Sequence, residues 1–255
     1  MGEVELSWNT VPHEEAGAWA EEWLNRWNRV AEDMIHSHPF MKKVERGQVS
    51  QEGIRGFTEN WYHWARTMGM SGASLYHRHL PVFKLYPDLD SHVLDRIAQE
   101  LVQPLKGGHA RALELLFPAL GIDPGRKSMP RLLPEMRGFI AFVRRLHMEG
   151  TFAEVHSCQY GPNIAPFARI WADALTEHYG VPEQANLYWE EYRHFDTRRS
   201  GGGILGTRPQ HVFLLTRIKE LGLAEKRPGW GMEYSAEISL GMWELFLNGC
   251  EKAYS

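Results

Sequence analysis

Apolar side chains in this chain recur at steps of three and four, and that spacing restricts the fold more than any other property of the sequence. Between Glu14 and Ile35 they fall at Ala16, Trp19, Ala20, Trp23, Leu24, Trp27, Val30, Ala31, Met34 and Ile35, which is one stripe of a helix. The Trp19, Trp23 and Trp27 row reads as core packing, because any buried helix shows that spacing. Ser50 is placed to N-cap a second helix through Ile54, Phe57, Trp61, Ala65 and Met68, and Pro81 limits its length. A third begins after Asp90 or Ser91, carries Val93, Leu94, Ile97, Ala98 and Leu101, and is interrupted by Pro104 and Gly107.

The pattern continues in the same way to the end. His109 to Leu120 reads as a fourth helix stopped by Gly121, and Leu132 to Met148 as a fifth. Phe152 to Tyr179 is the longest candidate, closed by Gly180, with Pro162 and Pro166 kinking or dividing it. Pro182 opens a helix through Leu187, Tyr188, Tyr192 and Phe195 that ends near the run from Arg198 to Gly203. Gln210 to Leu221, stopped by Gly222, and Ala236 to Ala253 complete the set. No segment alternates with period two, so the expected class is all-α with about seven to nine helices. With no Ser-, Gly- or Pro-rich linker midway, residues 1–255 are expected to form a single domain.

Charge narrows the function classes. Twenty-eight Lys and Arg residues stand against 32 Asp and Glu, a formal charge of −4, whereas a nucleic-acid footprint normally needs a basic domain. The longest apolar stretches, such as Phe139 to Val143, fall far short of the roughly 18 residues that span a bilayer. MGEVELSWNT lacks the basic and then apolar pattern of an export signal. Two cysteines, Cys158 and Cys250, are too few for a disulfide framework and form no CxxC clip. A reducing cytoplasm is the expected compartment, and a small-molecule substrate the expected partner.

Four stretches, taken in order, carry a resemblance. SHPFMKKVERGQVSQEGIRGFTENWYHW, which holds His38 and ends at Trp64, has a His-Pro pair, a helix, a short Gly-containing turn and an aromatic-rich helix. GGHARALELLFPALGI (107–122) sets a histidine before a helix ending in Leu-Gly, CQYGPNIAPFARIWADALTEHYG (158–180) ends in His-Tyr-Gly, and LYWEEYRHFDTRR (187–199) follows. Together they resemble the heme-oxygenase-like superfamily that contains thiaminase II, pyrroloquinoline-quinone synthase and the non-haem diiron oxidases. The match touches about residues 36–200. It implies a compact helical bundle around a small-molecule pocket, an enzyme of a biosynthetic pathway, and a possible homodimer.

Each branch of that superfamily implies its own site. The diiron branch implies non-haem iron, and here its ligand pattern is incomplete. His109 falls on the first histidine, but Val102, seven residues earlier, is no carboxylate, and Glu100 is the nearest acid, out of register. Cys158 stands about where the second helix supplies a Glu, and the third-helix stripe reads Tyr192, Asp196, Arg199. Arginine cannot deprotonate to bind a metal. His109 and Asp196 are the surviving candidates, and Glu191 with His194 forms a local ExxH alternative lacking its second copy. Glu154 and His156, two apart on a helix, diverge, as do His77 and His79, which read as solvated.

The thiaminase branch implies Cys158 as nucleophile. However, Tyr160 lies two residues on instead of four, Trp61 sits where an acid belongs, and Glu244 is the stand-in for a C-terminal glutamate. The competing reading of Cys158 is a small buried hydrophobe. The quinone-synthase branch implies oxidation of an acidic substrate by oxygen without a cofactor, in a pocket lined by His38, His63, Tyr160, Tyr192 and Arg199, with His109 as acid/base and Asp196 as an orienting carboxylate. Arg199 serves equally as a helix C-terminal cap. The leading expectation is a small-molecule oxidase or oxygenase, either cofactor-free or with non-haem iron. A Cys-dependent hydrolase and a non-catalytic binding protein are the alternatives.

Overall fold

The computed structural model describes residues 11–102, 104–158, 164–193, 208–224 and 231–255. It is all-α: thirteen α-helices and two short 3₁₀ turns among the described residues, with no strand. Seven of the helices are long and six are short pieces set between them: α1 His13–Ser37, α2 Pro39–Glu45, α3 Gln51–Arg78, α4 Leu80–Leu85, α5 Pro87–Val102, α6 Gly108–Glu114, α7 Leu116–Leu120, α8 Pro134–Glu149, α9 Phe152–Cys158, α10 Ile164–Glu177, α11 Leu187–Arg193, α12 Arg208–Glu220 and α13 Met232–Tyr254. Most rods expected from periodicity contain one of these long helices, whereas 109–120 and the rod opened by Pro182 are short pieces. The additional pieces arise where proline or glycine cuts a rod.

The cuts have physical causes. His109–Leu120 divides at Leu115, because Pro118 has no N–H for the Glu114 carbonyl and its ring crowds that same group. The long candidate 152–179 divides into α9 and α10, and Pro166 is tolerated in the first turn of α10, where N–H groups lack helical partners anyway. Pro182 opens only a 3₁₀ turn, Glu183–Ala185. The buried Asn186 then donates from Nδ2 to the carbonyl of Ala172 at 2.9 Å, tying the start of α11 onto α10. Ser50 does cap α3, accepting from the Gly53 N–H at 3.1 Å. The stops expected at Gly121, Gly180 and Gly222 all have positive φ.

Helix α3 is the axis, packed against α5, α6, α8 and α13. Its aromatic row supplies the main core: Phe57 stacks on Trp171 of α10 with centroids 3.8 Å apart, and Trp61 meets Trp189 of α11 and Trp243 of α13 at 5.7 and 5.2 Å. A second apolar cluster joins α1, α9 and α12, where Trp23 and Leu24 face Leu214, Leu215 and Ile218. Trp19 and Trp27 are partly buried against that cluster, as the core reading of the tryptophan row expected. No helix of the described residues is long and apolar enough to cross a membrane.

Candidate functional site

One buried polar cluster stands out within this aromatic interior, and its assembly starts at a turn. After α5 the chain reverses through Gly107 and Gly108, with φ of 106° and 67°. A Cβ on Gly108 would lie 1.9 Å from the carbonyl oxygen of Glu100, so only glycine lets α5 and α6 meet this closely. That contact brings the Glu100 carboxylate to 3.0 Å from Nδ1 of His109, and Tyr192 of α11 sets its hydroxyl oxygen 2.7 Å from the same nitrogen. Tyr192 is also hydrogen-bonded to Tyr188, whose oxygen accepts from the indole N–H of Trp61 at 3.0 Å. His109 is 7% exposed, Tyr192 5% and Tyr188 fully buried.

The chemistry follows from the sharing of Nδ1. With a proton there, His109 donates to Glu100, which fixes the tautomer and leaves the lone pair on Nε2 for use as a base. Burial, and then the negative charge of Glu100, push the Tyr188 phenol far above its usual range, so this hydroxyl remains neutral. The result is a chain of hydrogen bonds from Trp61 to His109 in a site of low polarity, where such bonds are strong.

Non-haem iron does not fit the described residues. Around His109 they offer one imidazole engaged through Nδ1, one carboxylate and phenols, and among the described residues no three His, Cys, Asp or Glu side chains gather as a metal site. His194 and Asp196 lie outside the described residues, as do Tyr160 and Arg199. Cys158 ends α9, with its side chain likewise outside the description, and Glu191 is half-buried beside the inward-facing Tyr192.

The remaining sequence candidates are dispersed. His63 does not join His109: its Nε2–H donates to the Arg126 carbonyl at 3.0 Å, fastening the loop before α8. Burial of that ring, against the opposing effect of this bond, holds its pKa below the usual value. His38 caps α2, accepting at Nδ1 from the Phe40 N–H at 3.2 Å, and its Nε2 lies 3.2 Å from the Asn248 side-chain oxygen. Glu154 closes a capping box with Thr151 at the start of α9. His79, expected to be solvated, is 9% exposed, donates to the Leu75 carbonyl and sits edge-on to Phe152.

Glu244 does not join the cluster either. Helix α13 turns Trp243 and Phe246 into the core, so Glu244 faces out. There, with His38, it lines a groove of about 520 Å³ between α1 and α13. Sequence reasoning missed Glu100 as the partner of His109, Tyr188 as the relay, and the groove itself. The Gly107–Gly108 pair was the available signal for the first.

No family model and no curated protein sequence matches the chain. Solved structures do. A TenA homologue from Pseudomonas syringae pv. tomato superposes with a TM-score of 0.66 at 15% identity, covering 95% of this chain and 98% of its own. A domain with a heme-oxygenase-like fold from Shewanella denitrificans gives 0.62 at 14%, covering 92% and 91%. A TenA homologue from P. horikoshii gives 0.57 at 14%, covering 92% and 97%. The chain therefore has the heme-oxygenase-like fold, as the ordered motifs implied, and at these identities the likeness concerns architecture alone.

Proposed function

We propose that this protein is a cofactor-free small-molecule oxidase in which His109 acts as general base. The observation that carries the reading is the buried imidazole held at Nδ1 between Glu100 and Tyr192. Abstraction of a proton from an acidic, electron-rich substrate leaves a carbanion or enolate, which passes two electrons to dioxygen as it loses a second proton; that proton and the one held by the His109 imidazolium complete the peroxide. The products are the oxidised substrate and hydrogen peroxide. Glu100 balances the imidazolium that forms, and neutral phenols give hydrogen bonds to negative charge in a site where water is scarce.

The test is oxygen uptake and peroxide release over a panel of catechols, aminophenols and quinol acids. Turnover by the native protein, lost in His109→Gln, supports the proposal. Absence of uptake across the panel removes it.

A second reading, a Cys158-dependent hydrolase related to thiaminase II, draws support from the TenA homologues that share the fold. Against it, Trp61 occupies the position of the expected acid and donates to Tyr188. Release of product from an aminopyrimidine substrate, abolished in Cys158→Ala, would favour it over the oxidase.

A further inference from the structure

Helix α13 carries four outward acids seven or four residues apart: Glu233, Glu237, Glu244 and Glu251. The outer two are neutralised by the helices that border the groove, Glu233 by Arg26 of α1 and Glu251 by Lys43 of α2, each at 2.6 Å. The inner two, Glu237 and Glu244, line the groove and make no ion pair or hydrogen bond among the described residues. No Lys or Arg is among the groove's lining side chains. His38, the one imidazole there, is engaged at both ring nitrogens, by Asn248 and by the Phe40 N–H.

Between the two carboxylates the wall is apolar. Val30 and Met34 of α1 face Leu240 of α13, and Val30 is 47% exposed. Gly241 lies at the middle of this wall, and a Cβ built on it meets nothing within 4 Å. The seven steps from Glu237 to Glu244 rise about 10.5 Å along the helix. The volume of about 520 Å³ falls in the size range of small-molecule sites.

We infer that this groove binds a linear aliphatic diamine or polyamine whose terminal ammonium groups lie about 10 Å apart, one on each carboxylate, at ~1.5 Å of rise per helical residue. Its methylene stem rests on Val30, Met34 and Leu240 and fills the gap over Gly241. Apolar burial and two charge pairs then act together, and the charge component weakens with salt. This site is separate from the His109 cluster, so the inference stands apart from the proposed oxidase activity.

The experiment is calorimetric titration of the full chain with 1,8-diaminooctane, spermidine and 1,3-diaminopropane at low and at physiological salt. One-to-one binding of the octane diamine is expected, with spermidine close to it and the three-carbon diamine at least tenfold weaker because it cannot bridge. Glu237→Gln and Glu244→Gln are each expected to weaken binding about tenfold, in the manner of one lost charge-assisted contact. Gly241→Leu fills the groove and is expected to abolish binding while leaving the melting temperature unchanged or higher, since leucine is the better helix former.

No saturable binding of 1,8-diaminooctane overturns the inference. So does affinity that is unchanged in folded Gly241→Leu or in the double Gln variant. A concentration-dependent dimer that Gly241→Leu dissociates would overturn it as well, by assigning the groove to a second copy of the chain.

Discussion

Tyr192 presents its hydroxyl oxygen 2.7 Å from Nδ1 of His109, although the two are 83 positions apart in sequence. The contact joins α11 to the start of α6, and Glu100 reaches the same nitrogen from the end of α5. His109 is thereby held from two sides.

This arrangement fixes what each side chain contributes. His109→Gln keeps a polar group of similar reach but removes the base, so kcat is expected to fall by about 10²–10⁴. Tyr192→Phe preserves the ring packing, and its effect on kcat is expected to be smaller, about tenfold. Burying an unsatisfied partner costs about 1–3 kcal/mol, so urea midpoints measured alongside separate lost catalysis from lost stability. A His109→Gln protein that is folded and fully active would reject the base role.

Gly108→Ala is expected to damage both fold and site. The left-handed backbone alone costs a side chain about 1–2 kcal/mol, and the clash with the Glu100 carbonyl adds to it. The variant should show a lower urea midpoint and lose oxidase turnover together. Gly17→Ala, where a Cβ meets nothing within 4 Å, is the matched control and should be neutral or stabilising. Native behaviour in Gly108→Ala would disprove the close α5–α6 contact.

Alkaline stability isolates another pair. Tyr62 donates to Glu114 at 3.0 Å, and burial followed by that carboxylate raises its phenol from 10.0 to about 12. The folded state therefore keeps a proton that the unfolded chain loses first. Stability from Tyr62 is complete below pH 10.0 and declines as pH rises toward 12. The urea midpoint of wild type should converge toward that of Tyr62→Phe across this window, and a constant gap would show that the hydroxyl is not linked to folding.

At acid pH the same cluster acts in the opposite sense. Burial tends to raise the Glu114 carboxyl, but hydrogen bonds from Arg111, Lys127 and Tyr62 outweigh it and hold the group below its ordinary range. Its contribution is present above the ordinary carboxylate pKa and is lost as pH falls through the depressed folded value. Glu114→Gln should therefore flatten the acid limb of a stability profile.

Thiol chemistry separates the two cysteines. Cys250 is fully buried, and desolvation, reinforced by Glu135, pushes its thiol well above the usual range. Iodoacetamide under native conditions should leave it intact, and peptide mapping should find any rapid label on Cys158. Prompt alkylation of Cys250 would contradict the packing of α13.

The helical rods were legible because burial of an aromatic stripe imposes its period on the sequence, and the Ser50 cap and glycine stops were legible for local reasons of hydrogen bonding and backbone sterics. Glu100 was not. A search for an acid seven residues before His109 assumes an unbroken helix, whereas Gly107 and Gly108 reset the register and bring a residue nine positions back onto the imidazole. Glu244 was misjudged for a related reason: one step of about 100° along a helix separates the core-facing Trp243 from a residue facing water. His63 and His79 show the converse, since each ring is taken up by a backbone carbonyl, that of Arg126 across the fold for one and that of Leu75 four residues back for the other.

That single step on α13 has a practical reach. Because Trp243 and Glu244 are sequence neighbours serving opposite sides of one rod, a saturation scan along residues 236–250 should alternate between intolerance and freedom with the pitch of the helix. Designers could then recast the outward surface for new cargo while the aromatic heart of the bundle remains untouched.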